Sequence, residues 1–308
     1  MFNTPFPIRK DSNGLRPVFF LGNEGGNCRY KCTFCDIGKS SPVSSEYNIE
    51  LFNSLYLRYE ENVSGPNHPL IYNRGNITEP FAFSRNTLDH ILNTFNSYDF
   101  IRFLSINSRE KEVTIEFLKY IVTKHLKFPL HFVLGIESFC DNLKKVIGKS
   151  TTGELDRLIE RLKDFNILNP DHLDYQFGID VGLLFLPELY FGGTLNRREA
   201  YSDIKIGFLA DIKRILELAD DITPIEINVH PYYKVEQLPF ENADIDQLIS
   251  YLPDIEQLLS FYNKGKKFNT HVFIGFRPSY DLDGLTNRKI DEWSKIIESF
   301  NTSGKYQN

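Results

Sequence analysis

Three cysteines, Cys28, Cys32 and Cys35, stand close together in "NCRYKCTFCDIG" (27–38), in a chain that has only four. Thiols at the spacing Cys-x3-Cys-x2-Cys can share one metal centre or pair with each other. Four chemistries compete for them. A thioredoxin-like pair would use Cys32 and Cys35 and leave Cys28 idle. A structural zinc ion would need a fourth ligand, from Cys140 or a distant histidine. Inert buried thiols can also cluster by chance. An iron–sulfur cubane takes one terminal ligand per iron, so three local thiolates leave one iron open for a substrate or cofactor.

The surrounding chain is ordinary. It has 308 residues, 41% hydrophobic and 25% charged, which is the balance of a globular protein. A chain this long buries enough apolar surface to need no disulfide staples. The net charge of −6 gives no electrostatic argument for nucleic acid or an anionic membrane, although a local basic pocket can sit within an acidic total. No apolar run is long enough for a bilayer. The N-terminal "MFNTPFPIRKDSNGLRP" lacks the apolar region of a signal peptide. The expectation is a cytoplasmic protein with reduced thiols, where a thiol cluster points to a metal or to catalysis.

The elements that must position these thiols are short apolar strands alternating with amphipathic helices. Strands are expected at 18–21, 69–73, 100–106, 130–136, 175–185, 225–229 and 271–276. Leu88, Ile91, Leu92 and Phe95 repeat at helical spacing, as do Leu155, Leu158, Ile159 and Leu162. Ile290, Trp293, Ile297 and Phe300 mark a last helix, and Pro253 should break or kink a helix over 246–262. Alternating strands and helices predict an α/β fold with a parallel sheet. The form expected is a partial, open TIM-like barrel of about six to seven parallel strands with outer helices. It is read as a single domain over 1–308 with its core at about 15–300. In such folds ligands bind in the loops after the strands, and the cysteines follow the first predicted strand.

Cys28-x3-Cys32-x-Phe34-Cys35, in a loop after the first strand, resembles the signature of the radical S-adenosylmethionine (SAM) enzymes. The resemblance implies a [4Fe-4S] cluster on the three cysteines with SAM chelating the open iron. It implies reductive cleavage of SAM to a 5′-deoxyadenosyl radical that abstracts hydrogen from a substrate. It also implies an external electron donor of the flavodoxin or ferredoxin type. Phe34, just before the last cysteine, would pack near the adenine.

Weaker likenesses continue along the chain. "YNRGNITEP" (72–80) stands where the family places a Gly-rich turn that meets the SAM amino group, so Arg74, Gly75 and Asn76 are candidate SAM contacts, with Thr78 nearby. A plain turn explains the same residues. "LGIESFCDNLKKVIGKST" (134–151) is similar to a segment of coproporphyrinogen-oxidase-like and elongator-like members, which implies that Glu137 and Lys149 touch SAM. A cation suits a carboxylate and a carboxylate suits an ammonium or ribose hydroxyls, yet a helix cap and a solvated lysine are the plainer alternative. "FLSINSREKEV" (103–113) offers Ser105 and Asn107 to ribose hydroxyls, or Asn107 or Ser108 as a helix cap. "IYNRGN", "INSRE" and "GIES" also resemble the archaeosine-forming lyases, but the cysteine loop is decorated differently, so that substrate is not carried over.

Later strand ends should face a substrate. They offer Glu188, Tyr190, Gly192 and Gly193, then Asn228, His230 and Tyr232, then Arg277, Tyr280 and Asp281. His230, Arg277 and Tyr190 are the candidate catalytic residues, with Arg277 suited to a carboxylate or phosphate and His230 to proton transfer or to a core hydrogen bond. Four cysteines leave no room for a second cubane. The expectation is one cluster acting on a small-molecule or nucleoside-type substrate. A tRNA-modifying or protein-activating enzyme, or a zinc or iron–sulfur binding protein without turnover, is the alternative.

Overall fold

The computed structural model describes residues 7–26, 28, 30, 41–73, 75–139, 144, 149, 153–168, 173–186, 197–232, 243–275 and 287–306. It is an α/β protein with one eight-stranded sheet in the order β1 to β8, each strand beside its predecessor. β1 (Ile8–Asp11) runs antiparallel to β2 (Gly14–Leu21). β2, β3 (Leu70–Asn73), β4 (Leu104–Ser108) and β5 (Leu130–Glu137) then pair in parallel. β6 (Phe177–Phe185) follows in the order, and β7 (Ile225–Pro231) and β8 (Val272–Ile274) are again parallel. Sequential parallel strands joined through helices are the strand order of a TIM-like barrel, as the sequence predicts.

The chain divides into two compact units: residues 1–134 with 153–180, and residues 135–152 with 181–308. The first opens on a hairpin missing from the sequence reading. Ser12 and Asn13 turn the chain between the paired Asp11 and Gly14, with Gly14 at φ 115° and the Asn13 N–H donating to Asp11 Oδ1 at 2.8 Å. Ser-Asn-Gly in succession is a turn signal, so the hairpin was legible.

α1 (Ser45–Asn62) and α2 (Arg85–Asn96) start on serine caps: Ser44 accepts from the Tyr47 N–H and Ser84 from the Thr87 N–H. Each cap supplies about 1 kcal/mol. Phe52 and Tyr59 of α1 meet Phe95 of α2 and Phe19 of β2, all fully buried. The Phe19 and Phe95 rings meet edge to face at 5.5 Å. Leu88, Ile91 and Leu92 share the buried face with Phe95, so the predicted stripe is the packed one. The same holds for Leu155, Leu158, Ile159 and Leu162, before the sheet re-enters at β6.

The predicted strand at 100–106 is displaced. Phe100 is exposed, Ile101 makes only an isolated bridge to Asn67, and Arg102 donates to the Asn13 carbonyl at 2.8 Å. The ladder starts at Leu104, opposite Leu130. Apolar content alone did not show where the pairing begins.

A polar group fills the sheet interior of this unit. Asp180 of β6 pairs with Arg16, accepts from Ser105 Oγ at 2.9 Å and meets His131 Nδ1 at 2.8 Å. Phe103 stacks on the His131 ring at 4.0 Å, and His131 Nε2 reaches Tyr175 Oη at 2.8 Å. Burial would raise the Asp180 carboxyl, but Arg16, His131 and Ser105 together hold it well below its ordinary value of 3.8. Buried carboxylates persist only when paired and hydrogen-bonded in this way.

In the second unit, Phe185 packs on Phe208 of the helix at 197–218, with ring centroids 4.9 Å apart. The predicted run 246–262 is two helices, Ile245–Ser250 and Leu252–Tyr262, meeting at Tyr251 with Pro253 in the first turn of the second. Proline is tolerated there because that N–H has no intrahelical partner. The last helix (Asn287–Ser303) buries Trp293, Ile297 and Phe300. Its Asn301 takes the Ile274 N–H at 2.7 Å and returns an amide hydrogen to the Ile274 carbonyl at 3.0 Å, occupying both backbone groups of that β8 residue.

Candidate functional site

The cysteine loop runs from β2 to α1, at the carboxyl end of the first parallel strand of the sheet. Cys28 is a half-buried free thiol. Cys32, Cys35 and Phe34 lie outside the described residues, as does Cys140. Among the described residues no group of three or more His, Cys, Asp or Glu could hold a metal ion.

The stem of the loop is well defined. The Val43 N–H donates to the Asn23 carbonyl at 3.1 Å, and the Gly26 N–H turns back to the same oxygen at 3.3 Å. Asn48 of α1 holds both backbone groups of Gly22, at 2.9 and 3.1 Å. Glu24 then ties the stem to the start of α2. It accepts from the Ser84 N–H at 2.8 Å, the Thr87 hydroxyl at 2.6 Å and Asn48 Nδ2 at 3.1 Å. A carboxylate at a helix N-terminus meets unpaired N–H groups and the positive end of the helix dipole. The sequence reading missed Asn23, Glu24 and Asn48. Glu24 had one available signal, its place in the Gly-rich "LGNEGGN" just before the first cysteine.

The turn after β3 packs on this stem. A Cβ on Gly75 would lie 2.4 Å from Asn23 Nδ2 and 3.2 Å from the Ala82 Cβ, so only glycine permits this approach. Asn107 braces the turn from the neighbouring strand. It accepts from the Asn73 N–H at 2.9 Å and donates to the Gly75 carbonyl at 2.6 Å. Thr78 and Ser108 share a hydroxyl bond at 2.6 Å. Asn76 is buried, with its amide 3.5 Å from Glu79 Oε2. The structure thus brings Gly75, Asn76 and Asn107 together against the stem of the cysteine loop. Arg74 lies outside the described residues.

Ser105 does not join them. It is the second residue of β4, not a residue of its carboxyl end, and its hydroxyl donates to buried Asp180. The displaced strand accounts for this correction: a ladder that starts four residues later puts Ser105 at the opposite end.

The second unit carries a separate cluster at the end of β5. Lys149 Nζ lies 3.1 Å from Glu137 Oε1 and donates to the Gly135 carbonyl at 2.5 Å. Both side chains are about nine-tenths buried. A Cβ on Gly135 would lie 2.5 Å from Glu137 Oε1 and 2.8 Å from Lys149 Nζ, so glycine makes room for the pair. Glu137 adopts φ 67°, a left-handed conformation that costs a non-glycine residue about 1–2 kcal/mol. Asp211 fixes the next residues, accepting from the Ser138 hydroxyl at 2.6 Å and the Phe139 N–H at 3.2 Å. Strain of this kind is sustained where surrounding contacts over-determine the backbone, and it concentrates at functional positions.

His230 stands near the end of β7, half-buried, where a Cβ on Gly275 would lie 2.9 Å from its Nδ1. Asn228 and Tyr232 are buried in the same stretch. Tyr190, Glu188, Gly192 and Gly193 lie outside the described residues, as do Arg277, Tyr280 and Asp281. Among the described residues no helix is long and apolar enough to cross a membrane.

No family model matches the chain, and no curated protein matches it. Solved structures do. SuiB from Streptococcus suis aligns over 83% of this chain and 49% of its own, at 14% identity and TM-score 0.49. TsrM from Kitasatospora setae is described as a radical S-adenosylmethionine methyltransferase, solved with tryptophan substrate and a SAM analog. It aligns over 68% of this chain and 35% of its own, at 14% identity and TM-score 0.39. The chain therefore spans about half the length of SuiB and a third of TsrM. Elp3 from the archaeon Methanocaldococcus infernus, solved with its N-terminus deleted, aligns over 98% of this chain and 70% of its own, at 9% identity and TM-score 0.50. The chain shares the fold of this archaeal Elp3 structure.

Proposed function

We propose that the chain is a radical SAM enzyme with one [4Fe-4S] cluster held by Cys28, Cys32 and Cys35. The observation that carries the reading is the position of Cys-x3-Cys-x2-Cys: it fills the loop after the first parallel strand, on a stem braced by two neighbouring helices. The donor set fits. Three thiolates with no fourth close to them in the sequence suit a cubane with one open iron better than a closed zinc site. The fold shared with archaeal Elp3 supports the reading, because a sequential parallel sheet places such a loop where these folds bind ligands.

When bound, cluster and SAM together supply reductive cleavage of SAM and hydrogen abstraction by the 5′-deoxyadenosyl radical. The chain's own residues bind and orient. Gly75 and Asn76 form the turn assigned to the SAM amino group, and Asn107 holds that turn in place. The resemblance further assigns Glu137 and Lys149 to SAM. His230 is proposed as a substrate-facing acid or base, with Tyr190 and Arg277 assigned to the same space from sequence alone. The substrate proposed is a small molecule or a nucleoside-type metabolite, and the reductant a flavodoxin- or ferredoxin-type donor.

The test is anaerobic. The protein is reconstituted with iron and sulfide, reduced and given SAM, while 5′-deoxyadenosine and the cluster's paramagnetic spectrum are followed. Nucleoside release with a SAM-altered spectrum is expected. Cys28→Ala, Cys32→Ala or Cys35→Ala should each abolish cluster assembly, whereas Cys140→Ala should not. A zinc-only protein, or a cluster indifferent to SAM, would overturn the assignment.

A further inference from the structure

Tyr30 falls between Cys28 and Cys32 in the sequence, and its side chain meets a short turn. That turn, Arg109 to Glu112, follows β4 directly and is closed by the Glu112 N–H on the Arg109 carbonyl at 2.9 Å. The Tyr30 hydroxyl donates to Glu112 Oε1. The Arg109 guanidinium lies 4.1 Å from the ring centroid and Lys111 Nζ lies 4.7 Å from it. Two cations against one aromatic ring are attracted by its negative face. A hydroxyl donating to a carboxylate is among the stronger hydrogen bonds.

We propose that Tyr30 is a positioning residue that clasps the cysteine loop to the turn after β4; the inference rests on reading that loop as the cluster site. The loop has a first tie at its stem, between Asn23 and Val43. Tyr30 supplies a second, inside the cysteine motif itself. Binding one cluster to three thiolates fixes the chain between them. A loop ordered in advance loses less conformational freedom on binding, which strengthens binding without any new contact. The turn thus sets the affinity and kinetic hold of a group that it does not ligate.

The test uses the full chain and two readouts. In the metal-free protein, anaerobic alkylation of Cys28 by iodoacetamide is timed by mass spectrometry. In the reconstituted protein, cluster loss to a chelator is timed by absorbance. Tyr30→Ala should speed both by at least about tenfold, since one charge-assisted hydrogen bond alone is worth that and a cation–π contact adds to it. Tyr30→Phe keeps the ring and should fall between. Glu112→Ala should be at least as fast as Tyr30→Phe, and the double variant should lose less than the sum of the two, since both remove the same bond. Rates within twofold of the parent for Tyr30→Ala would overturn the proposal, and so would additive losses in the double variant. If the parent protein takes up no cluster, the cluster reading fails, yet the alkylation rates still decide the clasp.

Discussion

Replacing Glu24 with glutamine tests whether the cysteine loop is held from its stem. The two carboxylate oxygens divide three donors: Oε2 takes the Ser84 N–H, and Oε1 takes the Thr87 hydroxyl and Asn48 Nδ2. Glutamine has one oxygen and one NH2. With its oxygen toward Thr87 and Asn48, the NH2 faces the Ser84 N–H and leaves a helix-start donor unmet. With its oxygen toward Ser84, the NH2 faces the Asn48 amide. Either way one charge-assisted bond is lost, worth about 1.5–3 kcal/mol. Loss of the charge from the helix N-terminus adds about 0.3–1 kcal/mol. Glu24 is half-buried, so the expected sum is about 2 kcal/mol, toward the low end of these ranges. Urea unfolding followed by circular dichroism measures that sum. Cluster content and chelator resistance of the reconstituted variant measure its effect on the loop. Two variants separate the causes. Thr87→Val removes one of the three donors and should cost about 1 kcal/mol, while Glu24→Asp keeps the charge but cannot span the same donors. A Glu24→Gln protein as stable as the parent, with an equally durable cluster, would refute the idea that this carboxylate carries the stem.

Asp180 should make the protein acid-sensitive. Its carboxyl is held below 3.8 in the folded chain, so its stabilising charge is fully present above that pH and is lost as the pH falls through the depressed value. Asp180→Asn should flatten the acid limb of the stability curve. It should also cost about 3–5 kcal/mol at neutral pH, because the buried network of Arg16, His131 and Ser105 loses its anion; an unchanged acid limb would show that other carboxylates govern it. Gly75→Ala should cost about 1–3 kcal/mol by overpacking against buried Asn23 and should weaken SAM binding in equilibrium dialysis, whereas an unchanged affinity would detach the turn from the cofactor.

What the sequence revealed and what it hid follow from the range of each interaction. Helical stripes such as Leu88, Ile91, Leu92 and Phe95 are written in local spacing, and each is buried as expected. Pro253 marked the break between two helices for an equally local reason. The cysteine spacing is equally local, and the proposed cluster site rests on it. Strand starts were not legible: Phe100–Phe103 is as apolar as a strand, but pairing begins at Leu104 because Leu130 lies opposite it. That shift of register moved Ser105 from a ligand candidate to a partner of Asp180, 75 residues away in the chain. Glu24 and Asn48 were invisible for the same reason, since neither has a local pattern and their partners are set by packing. Asn107 was identified with a different role, as its amide braces the Gly75 turn.

The contact between Asn301 and Ile274 bears on how the protein behaves at high concentration. Among the described residues β8 stands at one end of the strand order, and terminal strands offer unpaired backbone groups to any extended chain that approaches. One side-chain amide presents a carbonyl and an NH2 in the same geometry as a peptide unit. Asn301 therefore acts as a single-residue substitute for a ninth strand, supplied from a helix that cannot itself propagate a ladder. Colloidal solubility is thus coupled to the seating of the last helix: a perturbation that lifts it would bare the Ile274 backbone together with the apolar face of Trp293, Ile297 and Phe300.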